Sequence, residues 1–396
     1  MDKYIDSIGL EKVPPSGAEG AGLYIHIPFC KQACHYCDFH FSTSLGKKEA
    51  MIAALKKELE LRKSEFANEN VETIYFGGGT PSVLELEEIE DLVSNVNKHY
   101  KVVDTPEITL EANPDDLSLQ KTQALSKSPI NRLSIGIQSF FDTDLKLMNR
   151  AHTADEASES LKNAVRYFDN ISIDLIYGMP DMTLDRWKKN IEKALSFGVP
   201  HISSYALTIE PKTALANFVD KGLIRPASDE VAQEHFHLLY ETLLHEGFIC
   251  YEISNFGKPG YFSQNNSAYW QQKKYVGIGP SAHSFDGIRR GWNIGNNPKY
   301  IKALEKGELP METETLSTKD KYNEYVMTGL RTIWGVDVTR IQKEYGKKYQ
   351  DYLIMQSKKF REEGLLVLEG NVLSTTKKGK FLADGIAADL FMINLS

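Results

Sequence analysis

From residue 24 to about 206 the chain alternates short β-branched and aromatic runs with stretches whose apolar positions recur every three or four residues. The short runs predict strands over 24–27, 73–76, 108–110, 133–137, 171–175 and 202–206. Helices fill the gaps. Met51, Leu55, Leu59 and Phe66 mark one apolar face. Ser82-x-x-Glu85 reads as a capping box ahead of Leu86, Ile89, Val93 and Val96. Thr153-x-x-Glu156 opens another helix, with Ala157, Leu161, Val165 and Phe168 facing inward. Trp187, Ile191 and Leu195 line a further one that stops at Gly198.

Six strand–helix units in series predict a parallel sheet with helices outside it, because each parallel pairing needs a crossover. The polar positions favour a curved sheet. Gly77-Gly78-Gly79-Thr80, Glu111, Gln138 and Asp174 each sit at or just past the C-terminal end of a strand. That rim is where (β/α) barrels build their sites. The expected fold class is therefore α/β, a partial (β/α)6 TIM-like barrel.

The first strand leads into Cys30, Cys34 and Cys37 on the same rim, in a chain whose one other cysteine is Cys250. Three thiolates in a C-x3-C-x2-C loop can hold three irons of a [4Fe–4S] cubane and leave the fourth iron open. A structural zinc site completed by His26, His35 or His40 stays open at this point. A disulfide is disfavoured by the odd count and by the lack of a secretory signal.

The remainder reads differently. One long helix carries Phe236, Leu239, Tyr240 and Leu243, and Gly-rich, aromatic loops follow it. From residue 317 the pattern predicts helices over 322–334, 338–345 and 349–363. A hairpin over 365–373 turning at Gly370-Asn371 comes next, and a last helix follows Thr376. Three helices and a β-wing suggest a C-terminal winged-helix-like domain. The expected division is a loose leader over 1–20, a barrel over 21–228, an extension over 229–316 and the helical domain over 317–396.

Composition narrows the function classes. Hydrophobic content of 41% with 25% charged residues suits a globular chain, and no apolar run is long enough to span a bilayer. Few cysteines and no signal segment point to the cytoplasm. A net charge of -8 argues against sequence-independent nucleic-acid binding. Residues 340–380 hold ten Lys/Arg against five Asp/Glu, a mildly basic stretch read as the surface of a packing domain.

Taken together, the cysteine loop and the strand-end residues resemble a radical S-adenosylmethionine enzyme. Tyr24-Ile-His-Ile-Pro-Phe-Cys30, Tyr75-Phe-Gly-Gly-Gly-Thr-Pro81, Glu111-Ala-Asn-Pro114, Ile135-Gly-Ile-Gln-Ser139 and Asp174-Leu-Ile-Tyr-Gly178 are similar to its coproporphyrinogen-dehydrogenase-like branch. The likeness runs from residue 24 to the C-terminus. The dehydrogenase carries C-x3-C-x2-C-x-C and a longer N-terminal extension. Here Phe39 stands at the last position, and 29 residues precede Cys30. Both features resemble the heme-chaperone subfamily, HemW.

The resemblance implies cluster ligation by Cys30, Cys34 and Cys37, with S-adenosylmethionine on the open iron. It implies that Gly78, Gly79 and Thr80 let the backbone approach the methionine amine. Glu111, Gln138 and Asp174 would then bond the cofactor's polar groups, and Arg150 would offer a fork to its carboxylate. Tyr24 and Tyr36 would flank cofactor and cluster, with Ala206 on the adenine side. It further implies heme as ligand, a heme-acceptor protein, a reductant such as flavodoxin or ferredoxin, no nucleic acid, and membrane contact only through an acceptor. Cleavage of S-adenosylmethionine is left open.

The subfamily's His-Asn-x-x-Tyr-Trp motif stands here as Asn265-Asn266-Ser-Ala-Tyr269-Trp270, with asparagine in place of the histidine. His283 is the heme-ligand candidate. Tyr269 and Trp270 either stack on a porphyrin face or pack the core, and Cys250 reads as a buried core residue. The alternative function is oxygen-independent dehydrogenation of coproporphyrinogen III, which Phe39 and the short leader oppose.

Overall fold

The computed structural model describes residues 20–66 and 69–393, so the expected leader lies outside the described residues except for Gly20. Strands β1 (Ala21–Ile27), β2 (Val71–Gly78), β3 (Val102–Ala112), β4 (Arg132–Gln138), β5 (Ile171–Tyr177) and β6 (His201–Ala206) pair in that order, all parallel. They are covered on both faces, which is why they read as near-continuous apolar runs. Leu23, Ile25, Ile74, Phe76, Leu110, Leu133, Ile135, Ile173, Leu175 and Ile202 are fully buried, packed with Leu55, Ile89, Leu161, Trp187 and Ile191 of the crossover helices. Each such side chain contributes about 1.5–3 kcal/mol.

The sheet does not close on itself. On the β6 side, β7 (Ile249–Glu252) and β8 (Asn255–Gly257) add antiparallel strands. On the other side β9 (Lys274–Ile278) pairs parallel with β1, and β10 (His283–Phe285), β11 (Arg289–Asn293) and β12 (Met311–Thr315) follow antiparallel. The extension, expected to be mostly loops after its long helix, thus holds six strands and the helices Gln264–Trp270 and Asn297–Glu305. These strands have three to five residues and carry Lys, Arg and Gly. β9 is ordered on the distant β1 and β8 on β6, while β7–β8 and β10–β11 are hairpins of sequence neighbours added to those margins.

One buried ion pair fixes this extension to the barrel. Glu58 and Arg62, on and just after the helix Lys48–Leu61, are essentially without solvent exposure. Arg62 Nη1 donates to Glu58 (3.1 Å) and to the Gly277 carbonyl (2.7 Å), and Nη2 donates to Ser284 Oγ (2.9 Å). Glu58 in turn accepts from Gly279 N (2.8 Å), Asn293 Nδ2 (2.7 Å) and the Tyr300 hydroxyl.

Local details depart from expectation in three places. Ser82 caps no helix: Pro81–Val83 is a 3-10 turn, and Glu85 with Glu88 caps Leu86–His99. Ser82 Oγ donates instead to Asp116 (2.6 Å). The Thr153–Glu156 box is present, but Val165 ends the helix half-exposed. The expected helix over 349–363 is two, Lys347–Gln356 and Lys358–Glu362, broken at Ser357.

The C-terminal part packs Thr318–Arg331, Val338–Tyr345 and Ala383–Asp389 around Tyr322, Val326, Leu330, Ile341, Leu353 and Ile386. Its small sheet joins β13 (Val336–Asp337), β14 (Leu366–Glu369) and β15 (Val372–Thr375) in the order β13-β15-β14. It seals the edge of β7: Ile253 N donates to the Arg331 carbonyl and Ile333 N to that of Tyr251, both at 3.0 Å. Arg331 also clamps the buried Glu252 (2.8 Å) and Asp384 (2.6 Å). The opposite edge, β12, reads Met-Glu-Thr-Glu-Thr and is exposed along nearly its whole length. No helix among the described residues is long and apolar enough to cross a membrane.

Candidate functional site

Every parallel strand ends at one rim, and the cysteine loop springs from that rim after β1. The loop is shut at its base, where Cys30 N donates to the Ser42 carbonyl (3.0 Å) and Ser42 N to that of Pro28 (2.9 Å). The end of β2 locks against it through Gly79 N to Ile27 O (2.9 Å) and Thr80 N to Phe29 O (2.7 Å). A Cβ on Gly79 would lie 2.6 Å from the Phe29 carbonyl, and one on Gly78 (φ +107°) 2.4 Å from the His26 ring. Strand-to-loop packing therefore demands glycine at these positions, which also line the cleft. The far side of the loop hangs on Asn149, which accepts from Gln32 Nε2 (2.9 Å) and donates to the Ala33 carbonyl (2.7 Å).

Cys30, Cys34 and Cys37 are free and half-buried. They line one cleft of about 440 Å³ together with Tyr36, Gly78, Gly79, Thr80, Glu111, Gln138, Arg150, Asp174 and Ala206. Nine of the ten expected cofactor residues meet there, and Tyr24 lies in the adjoining wall. Each zinc-candidate imidazole has a ring nitrogen engaged elsewhere. His26 Nε2 meets the His40 carbonyl (3.0 Å), His35 Nδ1 that of Leu147 (2.9 Å), and His40 Nε2 meets Asn297 Oδ1 (2.7 Å). No three His, Cys, Asp or Glu side chains among the described residues are grouped to hold one ion. Three thiols and no histidine among the described residues of the cleft lining fit a cubane with an open iron, in which each thiolate takes a different iron. Burial pushes the Cys37 thiol up to about 11 and raises Cys30, so metal binding there displaces protons.

Around the thiols the polar groups differ in how far the protein satisfies them. Arg150 Nη1 approaches Cys34 Sγ (3.4 Å) and the Tyr36 hydroxyl (3.5 Å), and Nη2 donates to Asn113 Oδ1 (2.6 Å) and the Gly136 carbonyl (3.0 Å). Its fork is largely engaged by the protein, and only the buried Nε lacks a partner. Glu111 accepts from the Tyr75 hydroxyl (2.8 Å) and Gly78 N (3.2 Å). Burial, then the charge of Glu111, pushes Asp174 up to about 7. Gln138 adopts φ +65°, which only a strongly constrained non-glycine residue does, where β4 slips its register against β5. Sequence reasoning missed Asn113, which sits inside the quoted Glu111–Pro114 motif. It also missed the exposed Tyr205, beside Ala206.

A second cavity of about 930 Å³ shares Asp38, Phe39, Gly78 and Glu111 with the first. It lies between the β9–β11 ribbon and the helix Thr318–Arg331. His283, Tyr269, Tyr275, Phe285, Met327 and Phe391 are among its walls. Phe39, 68% exposed, stands where the two cavities meet. Trp270 is not in this wall. It lies under the Arg331 guanidinium (4.9 Å), packed with Ile249, Tyr251 and Trp334. Cys250 is core, with its thiol on the Glu252 carbonyl (3.3 Å) and raised to about 12 by burial. Asn265 is buried: it accepts from Thr73 Oγ1 (3.1 Å), and its N–H and that of Gln264 donate to Glu107 (3.1 Å each). The asparagine that replaces the motif histidine therefore anchors a helix start and does not face either cavity.

Comparison with known proteins agrees in outline. The radical SAM superfamily model matches residues 24–207, and the HemN C-terminal domain model matches 316–382. The chain is 34% identical to the heme chaperone HemW of Bacillus subtilis, over 92% of its own length and 97% of that protein. It is 34% identical to that of Lactococcus lactis (92% and 97%) and 31% to that of Mycobacterium tuberculosis (97% and 98%). In fold it is similar to coproporphyrinogen III oxidase (HemN) from Escherichia coli. That match has a TM-score of 0.81 at 21% identity, over 99% of this chain and 93% of that one.

Proposed function

Because the chain belongs to the radical SAM superfamily and, within it, to the HemW family of heme chaperones, we propose that it binds heme together with a [4Fe–4S] cluster and S-adenosylmethionine and delivers the heme to acceptor proteins in the cytoplasm. The observation that carries this reading is the pair of cavities meeting at Phe39: one lined by three thiols, the other larger and aromatic around His283.

When bound, the cluster and S-adenosylmethionine supply one-electron cleavage of a carbon–sulfur bond, fed by a reductant such as flavodoxin or ferredoxin. The chain's own residues do the rest. Cys30, Cys34 and Cys37 hold three irons, and the Arg150 N–H directed at Cys34 Sγ stabilises charge on that sulfur. Glu111, Gln138 and Asp174 accept from the cofactor's donors. Burial, and then the charge of Arg290, hold His283 below the ordinary imidazole value. Its nitrogen is therefore unprotonated and free to ligate iron at neutral pH. Tyr275, Phe285 and Met327 offer apolar faces to a flat macrocycle.

Anaerobic heme titration followed by the Soret band, run beside a coproporphyrinogen assay, tests the reading. Heme binding without turnover is expected, and catalytic conversion to protoporphyrinogen would overturn it in favour of the dehydrogenase. His283→Ala should weaken heme at least about tenfold and shift the Soret maximum. An unchanged spectrum would remove His283 as ligand.

A pH dependence follows from Asp174. Between the ordinary carboxylate range and about pH 7 the folded protein holds a proton that the unfolded chain has released. The unliganded protein therefore loses stability as pH rises through that window. Over the same window the ionised carboxylate becomes a better acceptor, so affinity for S-adenosylmethionine should rise. Calorimetric titration from pH 6 to 8 should show the slope in the wild type and a flat profile in Asp174→Asn. A flat wild-type profile would show that Asp174 does not meet the cofactor.

A further inference from the structure

Among the described residues, Arg290 is the one lysine or arginine lining the larger cavity, and the acidic residues there are Asp38, Glu111, Asp320 and Glu324. It stands opposite Phe285 on the β10–β11 pair, while His283 stands opposite Trp292, so Arg290 and His283 are diagonal neighbours on one face. Diagonal partners in antiparallel strands hold their side chains about 7–8 Å apart at the base. That is the scale on which a metal-centred macrocycle carries carboxylates at its rim. Among the described residues the Arg290 guanidinium donates through Nη2, to Glu324 Oε1 (2.6 Å), on the helix that forms the opposite wall. Both partners are partly open to solvent, with side-chain exposures of 36% and 28%. Glu324 is an uneasy partner, since burial raises its carboxyl despite the adjacent cation.

We propose that Arg290 anchors a rim carboxylate of the bound heme, and that Glu324 occupies the guanidinium until the heme displaces it. The proposal rests on the heme reading above. It adds a specificity element: the cavity selects a tetrapyrrole that carries free carboxylates, by exchanging one carboxylate for another on the same fork. Glu324 can then turn to water, while the pair of Arg331 with the buried Glu252 keeps the helix in place.

Heme and heme dimethyl ester, titrated anaerobically into the full-length protein, discriminate the possibilities. Wild type should bind heme more tightly than the ester. Arg290→Gln should weaken heme about tenfold or more and leave the ester unchanged. Glu324→Gln, which frees the guanidinium, should retain or tighten heme. Equal loss of both ligands in Arg290→Gln would make the pair a strut between β11 and the helix, and loss of neither would remove Arg290 from the ligand; either overturns the proposal. A wild type that binds both ligands equally would also overturn it, with the heme reading intact. A wild type that binds neither would sink the heme reading itself.

Discussion

Protein carrying Cys34→Ala, reconstituted anaerobically, is expected to lose its visible iron–sulfur absorbance and to fall from about four irons per chain toward none. The argument rests on the donor set. Cys30, Cys34 and Cys37 are the thiols of the cleft, and among the described residues no histidine lines it to replace one of them. His35, the nearest in sequence, is held by the Leu147 carbonyl and packs edge-on against Phe218 at 5.0 Å. Two remaining thiolates cannot retain a cubane that already has an open corner. Cys250→Ala is the control: that thiol is fully buried in the core, so the substitution should cost only modest stability and leave the absorbance intact. An iron–sulfur spectrum that survives Cys34→Ala would overturn the ligand assignment.

The largest effect on stability is expected at Arg62. Arg62→Ala leaves Glu58 charged and enclosed, still facing Gly279, Asn293 and Tyr300 but without its cation. Breaking a buried pair from one side costs about 3–5 kcal/mol, which urea unfolding would register as a large fall in midpoint. The double substitution Glu58→Gln with Arg62→Met should recover part of that loss, because the one carboxylate it leaves unpaired, Glu65, reaches solvent. If single and double variants were equally destabilised, packing rather than charge would hold the extension. The same network ties Gly277, Gly279 and Ser284 to the barrel, so Arg62→Ala should also loosen the wall that carries His283, without touching any ligand.

Much of the rim was legible because parallel topology does the geometric work. Once six β-branched runs are assigned as consecutive parallel strands, their C-terminal ends fall on one side, and Glu111, Gln138, Asp174 and the cysteines must converge. The packing demand on the glycines was not legible. Their need arises from the Ile27–Phe29 backbone and the His26 ring, contacts that depend on how β2 abuts the cysteine loop. The second cavity was not legible. It is formed by β9 pairing with a strand some 250 residues earlier, and by a helix near the C-terminus, and no local periodicity encodes either approach. Trp270 illustrates the same limit. Its neighbour Tyr269 faces the cavity, while Trp270 lies under Arg331, and only the packed helix decides which ring faces which way.

The two margins of the large sheet carry a last consequence. One is sealed by the chain itself, where the backbone around Arg331 and Ile333 completes β7. The other, β12, leaves its backbone groups open beside two glutamates and two threonines. An open margin on a twelve-stranded sheet is a template for cross-β growth, and like charges facing one another across such a stack would oppose it. On this edge Glu312 and Glu314 are the residues whose charge would oppose such self-association.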